Sequence, residues 1–385
     1  MQEKTGTADG QGTHYPLTGR MEPSFAPVWD VFRNNFELGE EQGASVAIMI
    51  GDRLVVDLWG GFADAAGTKP WAENTICNGM SVGKALAATC LHLLIDQGKV
   101  GLDEPVARYW PEFAANGKEG LLVRWVLDHR SGLPLLTDDL WPGAMYDWKA
   151  MTEALAAQAP LWPPGRQPAY HIRTFGFLVG EIVRRVSGKS FGAFFRDNFA
   201  KPFDIDFQFG VDPKDFPRCA EFIARAEGAP QDPNSMFARA GRQWPNPLDY
   251  NAEVFRRAEI PSSNGHANAR STARFYSILA NEGMFGDTRV LSAQAVETAR
   301  AEQYWAKEAV IGRTNRQALG FLLNSPQFPI GPGNASFGQS GMGGAMGFCD
   351  PDRHIAFGYI QNKMHAVSNI GPRVIRLIEA LYRSL

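Results

Sequence analysis

The sequence predicts an α+β protein. Its two ends should build one antiparallel sheet flanked by an N-terminal and a C-terminal helix, with a mainly helical subdomain inserted between them. Three observations carry this reading. The β-rich runs Ala44–Ile50 and Leu54–Trp59 flank the short turn Gly51-Asp52-Arg53, which is a hairpin signature. A matching pair near the other end, Ala345–Cys349 and Ile355–Ile360, flanks Asp350-Pro351-Asp352-Arg353. Between them, residues 103–292 carry helical periods broken by Pro/Gly clusters such as Trp162-Pro163-Pro164-Gly165 and Gln243-Trp244-Pro245-Asn246-Pro247. No strand–helix alternation of the doubly wound kind occurs.

Taken in order, residues 1–20 are polar and rich in Gly and Thr, and read as a mobile tail or a strap on the surface. A single domain then runs over 21–385, with its α/β part at about 21–102 and 293–385 and its helical part at about 103–292. Pro27 to Phe36 places Val28, Val31, Phe32 and Phe36 on one helical face. The first hairpin follows. Ala85, Leu86, Ala87, Ala88, Leu91, Leu93, Leu94 and Ile95 then form a helix that Gly98 stops. At the end of the chain Pro372 opens a last helix, with Val374, Ile375, Ile378, Leu381 and Tyr382 on one side.

Composition narrows the function classes. The 385 residues are 44% apolar, enough for one large core or two packed subdomains. A net charge of -3, from 38 basic and 41 acidic residues spread along the chain, gives no footprint for nucleic acid or an anionic membrane. A small molecule or peptide is the expected partner, and the sequence is silent on oligomeric state. No apolar run reaches the roughly 18 residues of a membrane span, and the N-terminus lacks the apolar core of a signal peptide, so the expected address is the cytoplasm. Cys77, Cys90, Cys219 and Cys349 lie far apart without C-x-x-C spacing, which argues against a zinc knuckle or a disulfide framework. H-E-x-x-H and H-x-H are both absent, and nothing calls for a metal or another cofactor.

The chemistry is concentrated in Asn78-Gly79-Met80-Ser81-Val82-Gly83-Lys84, which fits both G-x-S-x-G and S-x-x-K. Both patterns make Ser81 a nucleophile. A nucleophile elbow needs a buried strand before the serine, and Lys69–Asn78 does not read as one. If Ser81 instead opens the helix, Lys84 lies one turn on and on the same face, within reach of the hydroxyl. The N–H groups and dipole at the helix start favour a developing oxyanion there. The sequence thus supports S-x-x-K. An α/β-hydrolase using His354 or His365 is the less favoured alternative.

With these segments in place the chain resembles the serine β-lactamase and penicillin-binding-protein superfamily, and within it the class C-like carboxylesterases known as family VIII esterases. The resemblance spans nearly everything after residue 20. It is carried by Val55-Val56-Asp57-Leu58-Trp59-Gly60-Gly61, Pro105-Val106-Ala107-Arg108-Tyr109-Trp110-Pro111, Leu127-Asp128-His129-Arg130-Ser131-Gly132-Leu133-Pro134 and Pro164-Gly165-Arg166-Gln167-Pro168-Ala169-Tyr170-His171, besides S-x-x-K. It implies a β-lactamase-like fold and an acyl-enzyme on Ser81, with Lys84 and Tyr170 sharing the proton transfer. In this scheme Tyr170 is the general base, which requires Lys84 or the field of the site to stabilise a phenolate or relay the proton.

The family's third motif, K-T-G or H-x-G, falls on Gln339-Ser340-Gly341, and the N–H of Met342 is implied as the second oxyanion donor beside that of Ser81. Gln339, Ser340, Gly341, Ile172 and His171 are implied as the substrate-facing group. Two departures bear on substrate. Gln339 stands where the family has a cation that helps hold a substrate carboxylate, and Ile172 replaces the asparagine of the second motif. Both favour an uncharged or hydrophobic ester. Arg130 and Arg166 are candidate replacements for the missing cation, and Trp110, Trp141, Trp148, Trp162 and Trp244 are candidates for an aromatic pocket. Amidase, acyltransferase, weak β-lactamase and a catalytically silent peptide-binding relative remain open at this point.

Overall fold

Ten strands form one antiparallel sheet, and its construction explains where the site lies. The computed structural model describes residues 1–225, 232–241, 245, 248–365 and 370–385. The sheet strands are β1 (Gln2–Gly10), β2 (Thr13–Met21), β3 (Gly43–Ile50), β4 (Arg53–Gly61), β5 (Tyr304–Lys307), β6 (Thr314–Gln317), β7 (Leu322–Leu323), β8 (Phe337–Ser340), β9 (Met346–Asp350) and β10 (Ile355–Gln361). Their order is β1-β2-β4-β3-β10-β9-β8-β7-β6-β5. The two predicted hairpins meet at its centre, where β10 pairs antiparallel with β3 from Ile355↔Ile50 to Gln361↔Ala44.

Every residue of β10 is buried because the sheet is covered on both faces. Ile355, Phe357 and Tyr359 point to one side, onto helices α1 (Ala26–Glu37) and α5 (Pro372–Arg383). Ala356 and Ile360 point to the other, where α2 (Val82–Asp96), α3 (Thr174–Ser187) and α4 (Ala269–Ala280) pack with the inserted helical region. Gly347 and Gly358 lie under α4, and a Cβ on either would come within 2.2 Å of Tyr276 or of the Ala269 carbonyl. A larger residue at either position would push this helix off the sheet.

For the first twenty residues, read as a mobile tail or a surface strap, the structure has an ordered hairpin at the sheet edge. They pair as β1–β2, nine residues in each strand, and β2 extends the sheet through Leu17–Met21 against β4. β1 is nearly all exposed, so it is an edge strand with no apolar face to reveal it in sequence. The four cysteines are free and buried. Among the described residues no helix is long and apolar enough to cross a membrane, and no cluster of His, Cys, Asp or Glu could hold a metal ion.

Candidate active site

Ser81 sits at the junction of a short buried strand, Cys77–Asn78, and α2. That two-residue strand pairs antiparallel with His266–Ala267 outside the main sheet, which is not the central strand an α/β-hydrolase elbow needs. The backbone turns at Met80, held at φ 50° by a 2.9 Å bond from its N–H to the Asn78 side chain. Ser81 then occupies the N-cap position of α2, yet its hydroxyl makes no capping bond. It faces Lys84 instead, with Oγ 2.9 Å from Nζ. Among the described residues the Ser81 hydroxyl is partnered by Lys84 and Tyr170.

Lys84 is 1% exposed, and its amine touches two backbone carbonyls besides Ser81: Ile172 at 2.7 Å and Ser262 at 2.9 Å. Glycines make this convergence possible. A Cβ on Gly83 would fall 2.4 Å from the Pro261 carbonyl, and one on Gly176 would fall 2.5 Å from Ser262 N, so α2 and α3 close on the 261–263 turn only without side chains there. Burial, with help from the Arg173 guanidinium, holds the Lys84 amine well below the usual lysine range. In its neutral form, which this shift favours, the amine has two hydrogens and one lone pair. The two carbonyls take the hydrogens, which leaves the lone pair for the Ser81 hydroxyl.

Tyr170 approaches from the other side. Its hydroxyl hydrogen-bonds Ser81 and accepts from the Gln339 side-chain amide at 3.0 Å, and the Lys84 amine lies 4.9 Å from its ring centroid. Burial pushes the phenol up, against the opposing hydrogen bond to Ser81. Both shifts favour the uncharged forms, a phenol able to relay a proton beside an amine whose lone pair can accept one.

β8 supplies the third wall. Phe337 faces the helical-side core, and two residues on Gln339 points the same way, which brings its amide to Tyr170. Gly341 follows at the strand end, where a Cβ would meet the Gly79 carbonyl at 2.2 Å. That contact sets the end of β8 against the Gly79–Met80 backbone that leads into Ser81. Among the described residues neither the Ser81 nor the Met342 N–H donates to a backbone carbonyl, so both remain available. Gly341→Ala should separate the two strand ends by the order of 1 Å and lower ester turnover about 100-fold. Retained turnover with an unchanged fluorophosphonate labelling rate at Ser81 would contradict this geometry.

The model of the family described as Beta-lactamase matches residues 32–380. This chain belongs to that β-lactamase family. The β-lactamase-family protein is 34% identical over 375 residues to an esterase/beta-lactamase, LipL, of Mycobacterium tuberculosis (strain ATCC 25618 / H37Rv), covering 92% of this chain and 85% of the relative. Among solved structures it is similar to a family VIII carboxylesterase, with 37% identity, a TM-score of 0.89, and coverage of 96% of this chain and 100% of the other. It is equally similar to a penicillin-binding-protein homologue from Caulobacter crescentus, with 37% identity, a TM-score of 0.90 and the same coverage. The resemblance read from the motifs is therefore shown, and with it the β-lactamase-like fold.

In this β-lactamase-family protein the structure brings Ser81, Lys84, Tyr170 and Gln339 together, and Gly341, the chain neighbour of Met342, packs on the Gly79 carbonyl beside them. Ser340 is partly exposed beside them. Ile172 contributes a half-buried side chain and, unforeseen, the carbonyl that fixes Lys84. His171 is the clear correction. It is fully buried, with Nε2 2.6 Å from the Ser131 hydroxyl, Nδ1 2.5 Å from the Ala169 carbonyl, and burial pushing it down to about 4. Tyr170 and His171 both pack on the His129 ring, with centroids 4.9 and 5.3 Å away, but both His171 nitrogens are engaged by the protein.

Gln339 is 3% exposed and spends its amide on Tyr170, which makes it a partner of the proton relay more than a substrate contact. Arg130 is bound to buried Asp128, with Nε 2.9 Å from Oδ2, and Arg166 is exposed. Trp110 is buried in the core. Trp141 and Trp148 line an open hollow of about 880 Å³ that none of the residues around Ser81 share. Trp244 lies outside the described residues.

Two groups had no signal in the sequence. Arg173 is the cation that helps depress Lys84. Glu308, 1% exposed, accepts the Tyr170 N–H at 2.7 Å together with the N–H groups of Val310 and Ile311, and so ties the tyrosine loop to the β5–β6 connection.

Proposed function

We propose that this protein is a serine carboxylesterase that cleaves small, uncharged or hydrophobic esters through an acyl-enzyme on Ser81. The observation that carries it is the 2.9 Å contact between the Ser81 hydroxyl and a buried amine whose two other contacts are carbonyls. The Ser81 proton moves to Lys84 as Oγ bonds the ester carbonyl carbon, and the N–H groups of Ser81 and Met342 receive the oxyanion. Collapse breaks the carbon–alcohol bond, and the leaving alkoxide takes a proton relayed from Lys84 through Tyr170. Water repeats the sequence on the acyl group and restores Ser81. The relatives named as an esterase and a carboxylesterase support this reading.

The preference for uncharged substrates rests on Gln339. Where the family places a cation, this chain has an amide already engaged by Tyr170. Ile172 and the 39% exposed Met342 add apolar surface beside the nucleophile. A cytoplasmic address belongs to the same proposal, supported by four unpaired buried thiols of the kind a reducing compartment maintains.

Purified protein assayed with p-nitrophenyl esters of graded acyl length and with nitrocefin should cleave the best ester at least about tenfold more efficiently. That is the smallest ratio expected when one charge-assisted contact is missing. Comparable nitrocefin turnover would overturn the substrate preference, and no turnover of any ester would overturn the esterase assignment.

A further inference from the structure

The turn that presents the Met342 N–H has little rigidity of its own. Gly341, Gly343 and Gly344 lack side chains, and the last two lie at φ 90° and 116°, where only glycine is at ease. Two internal bonds close it: the Gly341 N–H reaches the Ala345 carbonyl at 2.7 Å and the Gly344 N–H reaches the Gly341 carbonyl at 3.1 Å. The rest of its shape is imposed from outside. Three donors converge on the Gly343 carbonyl: the Gln361 side-chain amide at the end of β10, the Arg373 guanidinium of α5 at 3.0 Å, and the His365 N–H at 3.2 Å. With two lone pairs to offer, that oxygen is saturated.

Arg373 is itself held in place. It is 1% exposed, and its second nitrogen donates to the Glu40 carbonyl at 2.8 Å and to Glu41 at 2.7 Å. Glu41 is fully buried and also accepts the Tyr359 hydroxyl. A buried ion pair contributes little net stability after desolvation, so stability alone does not account for this network. What it does locally is aim the Arg373 guanidinium, from the last helix, at the same peptide of the glycine turn that the Gln361 amide reaches from the central strand.

We infer that Gln361 and the buried Glu41–Arg373 pair are positioning residues that hold the Gly341–Ala345 turn, and with it the Met342 N–H, in place for the oxyanion. This rests on the esterase reading given above. None of the three touches substrate; Gln361 and Arg373 act through the Gly343 carbonyl, and Glu41 acts through Arg373.

Arg373→Lys leaves Glu41 a partner of the right charge but risks unfolding, so Gln361→Met, which spares the ion pair, is the primary variant. Two readouts are taken on the full chain. In hydrogen–deuterium exchange, amides 341–345 should exchange about five- to tenfold faster in Gln361→Met, the factor expected for one lost buried hydrogen bond. With p-nitrophenyl butyrate, kcat should fall about tenfold with KM within twofold and an unshifted pH profile. Unchanged exchange in the turn, or faster exchange with unchanged kcat, overturns the inference, as does loss confined to melting temperature. Wild-type protein without Ser81-dependent turnover would instead sink the esterase reading. In that event the exchange result still decides whether these residues hold the turn.

Discussion

Ser81→Ala should reduce ester turnover by about 10⁴-fold or more, the loss typical of removing a nucleophile from an acyl-transfer site. It should also abolish fluorophosphonate labelling while leaving the thermal midpoint almost unchanged. The last part is the discriminating one. An N-cap serine ordinarily stabilises its helix by about 1 kcal/mol through its side chain. Here the hydroxyl makes no such bond, because it is turned toward Lys84 and Tyr170. The helix therefore loses no cap when the oxygen is removed. A marked drop in melting temperature would show that the hydroxyl holds structure rather than attacking substrate, and retained turnover would remove Ser81 from the mechanism.

Lys84→Met should lower kcat by about 10³-fold, within the range of general-base contributions. Lys84→Arg should not rescue it, since a guanidinium stays protonated and has no lone pair to offer. The pH dependence gives an independent check. Only neutral Lys84 accepts the proton, so activity should rise with pH through its depressed pKa, well below 10.5. The sign for stability follows from the same shift. Between the depressed folded value and 10.5, the unfolded chain binds a proton that the folded chain does not. Stability linked to Lys84 is thus present above the unfolded value and is lost as pH falls toward the folded one. Denaturation curves of wild type and Lys84→Met should converge in slope below that window. Parallel curves throughout, or an arginine variant with normal activity, would show that Lys84 does not work as a neutral base.

How much of this was legible in the sequence depends on the range of the interaction. The hairpins Gly43–Gly61 and Met346–Gln361 and the end helices follow local rules of alternation, turn chemistry and helical period, and could be placed from residues near one another in the chain. The Ser81–Lys84 contact is one helical turn and was equally readable. The β1–β2 hairpin was missed because its outer strand buries almost nothing, so no apolar pattern distinguishes it from a polar tail. The Ser262 carbonyl on Lys84 and the Glu308 carboxylate on the Tyr170 backbone join positions more than a hundred residues apart, and no pattern within either segment announces the other. His171 was misplaced for the opposite reason. Adjacency to Tyr170 in sequence suggested a shared role, while in the fold Ser131 and the Ala169 carbonyl take both ring nitrogens of His171.

The pairing of β3 with β10 has a consequence for how the protein is made. Ile50 must wait for Ile355, about 300 residues later, before the centre of the sheet exists. At about 5–20 residues per second, that is a delay of roughly 15–60 s on the ribosome. During this time β3, buried throughout in the finished molecule except at its last residue, has one backbone edge without a mate. A nascent chain stalled before β10 therefore carries Ser81, Lys84 and Tyr170 but presents a sticky, unpaired strand. Such a chain is a natural client for chaperones and a poor candidate for truncation from the C-terminus.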